Sequence, residues 1–377
     1  MEKRLGEIAT YVNGYAFKPS DRGTKGLPIV RIQDLTGNSY NLGYYDGIYP
    51  EKIEINNGDI LISWSGSLGI YIWNRGKALL NQHIFKVVFD KGDVSKQYFV
   101  FAVQYKLQEM ITKTHGATMK HIVKKDFDNT LIPFPTPEIQ REIADILSKV
   151  NVIISARQKQ IKMLDKLIKA RFIEMFGDCV INPKRWKTKC LEEIAEVGSS
   201  KRVFVEELQK TGIPFYRGTE VGALAEGKKI IPELFITENR YEELCRATGT
   251  PQIGDLLMPS ICPDGRIWMV NTNEPFYFKD GRVLWVHIID SNYNPVFLLY
   301  TLKDRIMADY SGIASGTTFA ELKIFALKKC QIFEVPITLQ NEFADFVKQT
   351  DKSKVAIQKS LEKAQLLFDC LMQKYFG

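Results

Sequence analysis

The sequence predicts a mixed α/β chain made of one design used twice. Two β-rich globules are each followed by a long helix, and the two helices form an antiparallel coiled coil with an internal pseudo-twofold repeat. Three observations predict this. Short strings recur in the same order in both halves. Two stretches of roughly 40 residues contain neither proline nor glycine until their last residue. Both stretches carry apolar residues in a heptad pattern.

The repeat constrains every other element of the chain. "LGEIA" at Leu5–Ala9 answers "LEEIA" at Leu191–Ala195, and "GLPIVRI" at Gly26–Ile32 answers "GIPFYRG" at Gly212–Gly218, both at an offset of 186. "GDILIS" from Gly58 answers "GDLLMP" from Gly254 at an offset of 196. "GATMKHI" from Gly116 answers "GTTFAEL" from Gly316, and "QREIADIL" from Gln140 answers "QNEFADFV" from Gln340, both at 200. Order is kept and the offset drifts as expected from loop insertions. The unit is too long, and its copies too few, for a solenoid.

Within each copy the first part is strand-like. "DILISW", "GIYIW" and "FKVVF" in copy one, and "DLLMP", "RIWMV" and "VLWVHI" in copy two, are short β-branched and aromatic runs punctuated by turn residues. The Gly26/Gly212 and Pro28/Pro214 pairs read as turn residues opening a strand. A shorter helix is expected over roughly Lys96–Lys113 and Pro295–Tyr310. Copy one enters its long helix after the proline cluster "IPFPTP", and copy two has the same freedom from breakers from Ile337 to Phe376.

Along the first long helix the seam positions are Ile143, Leu147, Val150, Ile154, Arg157, Ile161, Leu164, Ile168, Arg171 and Met175. Two hundred residues later the same register gives Phe343, Val347, Thr350, Lys354, Ile357, Leu361, Ala364, Phe368, Leu371 and Tyr375. A helix of this length spans about 60 Å. Antiparallel pairing lets the second helix start where the second globule ends. A parallel pair would send the chain back over the whole length. The expected segments are a globule over 1–135, a helix over 136–177, a globule over 178–336 and a helix over 337–377.

Composition excludes several function classes. No apolar run approaches a membrane span, and the N-terminus "MEKRLGEIAT" has no signal-peptide core, so a cytoplasmic protein is expected. The six cysteines form no C-x-x-C pair, which argues against a disulfide framework or a zinc site and for reduced thiols. No metal site is expected. The net charge of +7 is compatible with a polyanion partner without proving one.

The residues also limit the chemistry. No G-x-x-x-x-G-K-[ST] phosphate loop occurs. "NPVF" at Asn294–Phe297 lacks the second proline of an adenine methyltransferase loop and reads as a helix cap, Asn294 before Pro295. "ELK" at Glu321–Lys323 finds no paired acid in copy one. No catalytic residue is expected in this chain.

The order of these strings, twice over, resembles the specificity subunit (HsdS) of type I restriction–modification enzymes. The resemblance rests on "GATMKHIVKKDFDNTLIPFPTPEIQREIADIL", on the helix ending "LIKARFIEMFGD", and on "NPKRWKTKCLEEIAEVGSS" opening the second copy, and it covers essentially the whole chain. The Glu-Gln pair common in that family at the helix start stands here as Ile139-Gln140 and Leu339-Gln340. The resemblance implies that each globule is a target recognition domain reading one half of a split site in double-stranded DNA. It implies that the helices act as spacer and docking surface for two modification subunits, and that restriction subunits join them. S-adenosylmethionine, ATP and magnesium would belong to those partners, and this chain would hold no cofactor. Two other readings stay open: a coiled-coil protein adapter without DNA readout, and a self-contained methyltransferase or nuclease.

If the copies read different half-sites, what they share is structural or phosphate-directed and what differs carries base readout. The unlike loops nominate Lys18, Arg22 and Lys25 in copy one against Lys201 and Arg202 in copy two. They also nominate Trp64, Ser65 and Ser67 against Ser260, Asp264 and Arg266. Arg31 and Arg217, shared by both copies, suit a structural ion pair, a phosphate contact or a base contact. Thr118 and Lys120, with Thr317 and Thr318, suit helix capping or phosphate binding. Each loop residue has a plain alternative as solvated surface.

Overall fold

In the computed structural model the described residues are 1–37, 42–113, 122–315 and 320–377. They form two compact units, Met1–Lys159 with Ile357–Gly377, and Gln160–Ala356. Each unit therefore takes one globule, part of the first long helix and part of the second.

In the first unit, Thr10–Asn13, Ile84–Val88, Ile60–Ser63 and Gly69–Ile72 form an antiparallel sheet in that order. A second sheet is ordered Gly43–Tyr45, Leu27–Val30, Ala78–Leu80, Glu54–Ile55, and its middle pair is parallel. Strand alternation explains how the layers join. Ile60 and Ile62 point into the core containing the helix Lys96–Lys113, whereas Leu61 points into the core between the sheets. A strand apolar on both faces has no solvent side, which is why "DILIS" reads as an unbroken run rather than an alternating one.

The second unit repeats this frame. Ala195–Gly198, Val283–Ile288, Leu256–Pro259 and Trp268–Met269 form the first sheet. Ile213–Tyr216 lies between Phe235–Ile236 and Tyr277–Phe278, parallel to the latter. Leu256 and Met258 face one core and Leu257 the other. The extra residues that move the offset from 186 to 196 are not simple loops. They include the helix Glu238–Thr248, whose first turn is capped by Thr237 Oγ1 accepting from the Arg240 N–H at 3.2 Å.

The repeated glycine that opens the "GLPIVRI" phrase has a steric reason. Gly26 and Gly212 have φ of +96° and +128°. A Cβ there would lie 2.0 Å from the Tyr45 carbonyl oxygen and 2.4 Å from that of Ile236. Neither a side chain nor ordinary backbone geometry fits.

The long helices run Pro137–Phe176 and Ile337–Phe376, 40 residues each. The expected seam positions are all buried or half-buried, and most of the others on the two helices are exposed. In the first unit Ile143, Leu147, Val150 and Ile154 share a core with Leu361, Phe368 and Leu371. In the second unit Ile168 shares a core with Phe343 and Val347, while Ile161 and Leu164 are half-buried. The pairing is antiparallel: Asp165 meets Lys354 at 2.7 Å and Arg171 meets Glu342 at 3.0 Å, so numbers rise on one helix as they fall on the other. The Lys354 ammonium, on the seam by register, escapes to Asp165 and Asp351. The helix ends depart from the strict heptad. Phe172 and Phe176, one position past Arg171 and Met175, turn into the globule core beside Phe297 and Phe343. Met372 and Phe376 do the same in the first unit. Packing on the globule overrides the seam in the last turn.

Each helix start is fixed to its globule by a buried amide. Gln140 Nε2 donates to the Pro135 carbonyl at 2.9 Å and its Oε1 accepts from the Ser95 N–H at 3.0 Å. Gln340 Nε2 donates to the carbonyls of Val335 and Asn292, and its Oε1 accepts from the Asn294 N–H at 2.8 Å. Both glutamines are 0% exposed. Asn294 Oδ1 in turn accepts from the Val296 N–H at 2.9 Å, the cap expected for "NPVF".

Replacing Gln340 with alanine, or with the similarly shaped methionine, leaves one N–H and two carbonyls without partners. Either variant is expected to lose about 1–3 kcal/mol, read from the midpoint of urea unfolding. An unchanged midpoint in both contradicts the clamp. Phe343→Ala removes a fully buried ring that touches Phe172, Phe176 and Tyr300, and is expected to cost about 3–5 kcal/mol in the same measurement.

Candidate nucleic-acid interface

The nominated loops lie at strand ends, and the two copies share their backbone bonds there. Trp64 follows the strand Ile60–Ser63. Its N–H donates to the His83 carbonyl at 3.2 Å and its carbonyl accepts from the Ile122 N–H at 2.9 Å. Ser260 follows Leu256–Pro259 and makes the matching bonds to the Arg282 carbonyl at 2.9 Å and from the Leu322 N–H at 2.7 Å. The frame is one; the side chains are not. The Trp64 indole donates to Asn13 Oδ1 at 3.3 Å and packs on His83 and Phe85, with centroids at 4.9 and 5.6 Å. Ser65 is half-buried and Ser67 exposed, and the Ser67 carbonyl accepts from Ser63 Oγ. Ser260, expected on an exposed loop, is buried at 1%. Its hydroxyl has no hydrogen-bond partner among the described residues. Asp264 is exposed and holds Arg266 at 2.8 Å.

Lys18, Arg22 and Lys25 are all exposed. The Lys18 N–H donates to the Asp21 carboxylate at 2.7 Å, which shapes the turn Pro19–Asp21, and the Arg22 stem lies over Gly43. Lys201 and Arg202 are exposed at the same place in copy two, Arg202 beside Asp280 at 3.3 Å. Ser199 and Ser200, just before them, donate to the Val283 and Phe278 carbonyls. This segment is thereby tied to the turn between Tyr277–Phe278 and Val283–Ile288. Thr118, Lys120, Thr317 and Thr318 lie outside the described residues.

The shared arginines have a structural employment. Arg31 Nε lies 3.2 Å from Asp34, which also accepts from the Arg31 N–H at the start of the short helix Ile32–Thr36. Arg217 does the same with Glu220 at the start of Gly218–Ala225, and reaches Glu233 at 3.1 Å. Burial alone raises the Glu220 carboxyl, but hydrogen bonds from the Arg217 side chain and backbone outweigh it and bring its pKa down to about 2.

Several residues of this surface escaped the sequence reading, among them Asn13, the turn Asn81–Gln82–His83 and the turn Lys279–Arg282. Their neighbours come from pairings between distant strands, antiparallel for Asn13 and for Trp64 with His83, parallel for Asn81 and Lys279, which no local pattern announces. The repeat held one clue: the two turns fall at the same step of the frame with unlike residues. Among the described residues no cluster of His, Cys, Asp and Glu suits a metal ion, and all six cysteines are unpaired. No helix of the described residues is long and apolar enough to cross a membrane.

A duplicated α/β frame with paired long helices and unlike strand-end loops defines a class, and comparison with known proteins gives the family. The model of the type I restriction modification DNA specificity domain matches residues 1–163 and again 183–367, and the chain belongs to that family. A type I restriction enzyme specificity subunit of Escherichia coli (EcoBI) is 28% identical over 168 residues, 44% of this chain but only 35% of that protein. The MjaVIII specificity subunit of Methanocaldococcus jannaschii is 25% identical over 84% of this chain and 79% of its own length. The S subunit of a type I restriction-modification system from M. genitalium shares the fold, with a TM-score of 0.52 at 16% identity, over 100% of this chain and 96% of the other. A chain from a structure of type I R-M complex assembly and conformational transition gives a TM-score of 0.57 at 16% identity, over 100% and 97%.

The Glu220 carboxylate, with its lowered pKa, contributes stability above about pH 4.5 that is lost as the pH falls toward 2. Glu220→Gln is therefore expected to be less stable than the parent at pH 6, by about 1–2 kcal/mol because Arg217 is partly in solvent. The gap should close between pH 4.5 and 2 in denaturant titrations. A gap independent of pH contradicts the ion pair.

Proposed function

We propose that this chain is the DNA-specificity subunit of a type I restriction–modification enzyme. Each unit reads one half of a bipartite target in double-stranded DNA, and the long helices set the spacing and dock two modification subunits, to which restriction subunits join. The chain performs no chemistry itself. S-adenosylmethionine, ATP and magnesium belong to the partner subunits, which methylate adenine and restrict.

One observation carries this reading: two copies hold the same backbone frame with the same bonds at the strand ends, yet present different polar side chains there. Where copy one has Trp64 with Asn13, copy two has a buried Ser260 and an exposed Arg282, and Lys18 and Arg22 correspond to Lys201 and Arg202. A scaffold serving only protein contacts has no need to vary its polar groups at those ends while keeping the frame. The family match and the net charge of +7 point the same way.

The test is selection from a random DNA pool by the chain assembled with its modification subunits. The expected result is two short, unlike segments separated by unspecified pairs, with affinity falling steeply between low and physiological salt as lysines and arginines displace counterions. Affinity flat with salt, or no selected sequence, favours the adapter. The purified chain alone is expected to transfer no labelled methyl group to DNA, and incorporation by rigorously pure protein overturns the non-catalytic assignment.

A further inference from the structure

The turn that joins Ala78–Leu80 to Ile84–Val88 carries an unusual residue. His83 has φ of +72°, a left-handed backbone that glycine adopts at little cost and a side chain does not. The corresponding turn of the second copy is one residue longer, and its positive φ, +63°, falls on Gly281, just before Arg282. The equivalence is fixed by bonds. The Asn81 N–H donates to the Val30 carbonyl as that of Lys279 donates to Tyr216, and the His83 and Arg282 carbonyls accept from the Trp64 and Ser260 N–H groups. A turn needed only to reverse the chain has a cheaper solution, and copy two shows it. Strain of this kind is a mark of function when the surroundings impose it.

The side chains of the turn are also underused within the protein. His83 Nδ1 and Asn81 Oδ1 are buried without a hydrogen-bond partner among the described residues. The His83 ring packs edge-on against Trp64 at 4.9 Å, and the Trp64 indole is held by Asn13. Gln82, between them, is half-buried, and its backbone N–H is anchored to the Tyr15 carbonyl at 2.9 Å. In copy two the same turn reads Lys279-Asp280-Gly281-Arg282. Lys279 and Arg282 are exposed, Arg282 pairs with Glu321 and Asp280 with Arg202, and the Gly281 N–H is fixed by Ser199 Oγ. Amide and imidazole chemistry in one copy thus corresponds to cationic chemistry in the other, on turns whose ends make the same backbone bonds.

We propose that this turn is a base-reading element of each recognition domain, with Gln82 the reading side chain in the first and Arg282 in the second, and with His83 a positioning residue that sets Trp64. The inference rests on the DNA-specificity reading above. A carboxamide pairs with the N6 and N7 edge of adenine, and a guanidinium with O6 and N7 of guanine. The first half-site therefore contains an A·T pair read by Gln82 and the second a G·C pair read by Arg282, which exchanges Glu321 for the base.

The experiment maps the methylated motif of the assembled enzyme for the parent, Gln82→Ala, Arg282→Ala and His83→Gly, with thermal melting of each. Gln82→Ala is expected to relax one A·T position in one half-site, on the order of ten-fold in discrimination, and to leave the other half intact. Arg282→Ala should relax one G·C position in the other half. His83→Gly should melt no lower than the parent, because strain is relieved, yet weaken selection only in the half that Gln82 reads. Folded Gln82 and Arg282 variants that keep the parent motif overturn the inference while leaving the specificity reading intact. A parent enzyme with no bipartite motif sinks the underlying reading instead. A His83→Gly protein that melts lower and keeps its motif assigns His83 to structure alone.

Discussion

The way each globule holds the start of its own long helix depends on one buried amide per unit. Without it the first turn could rotate on the globule surface. Gln140 and Gln340 remove that freedom by bonding the helix start at once to the segment entering it and to the segment before the globule's own helix. Such a network is stable only when complete, because an unpaired buried amide costs as much as a good bond gains. The aromatic cluster of Phe172, Phe176, Phe297 and Phe343 then locks the returning helix to the same globule.

The division between fixed frame and variable surface follows from the two-sided burial of the strands Ile60–Ser63 and Leu256–Pro259. Apolar residues on both faces leave nothing on those strands to vary without opening a cavity. Variation is confined to strand ends, where side chains meet solvent. Copy two adds the helix Glu238–Thr248 and a longer turn at Lys279–Arg282 without disturbing the pairing register. The shared Arg31–Asp34 and Arg217–Glu220 pairs belong to the frame as well: each caps a short helix beside the variable loops.

Much of this was legible in the sequence. Repeat, strand runs, helix limits and seam were readable because they depend on local periodicity, and the helix over Lys96–Lys113 falls where its pattern placed it. The heptad misled only at the helix ends, where Phe172 and Phe176 answer to the globule. The candidate surface was half legible. The nominated loops flank recognisable motifs, and Ser260, expected outside, lies inside. The Asn81–His83 turn was not nominated, since its positive φ and its neighbours, brought by pairing between distant strands, leave no local trace. Gln140 and Gln340 were noted only as a departure from a family pair, because nothing local distinguishes a buried glutamine from a solvated one.

The central claim is that two interchangeable frames carry two separate readers. It is tested most directly by replacing the second globule with a copy of the first, residues 191–335 by residues 5–135, and mapping the motif methylated by the assembled enzyme. The account predicts an inverted repeat of the first half-site, with the second half-site gone. A target that keeps the second half-site, or that repeats the first in the same strand sense, contradicts it.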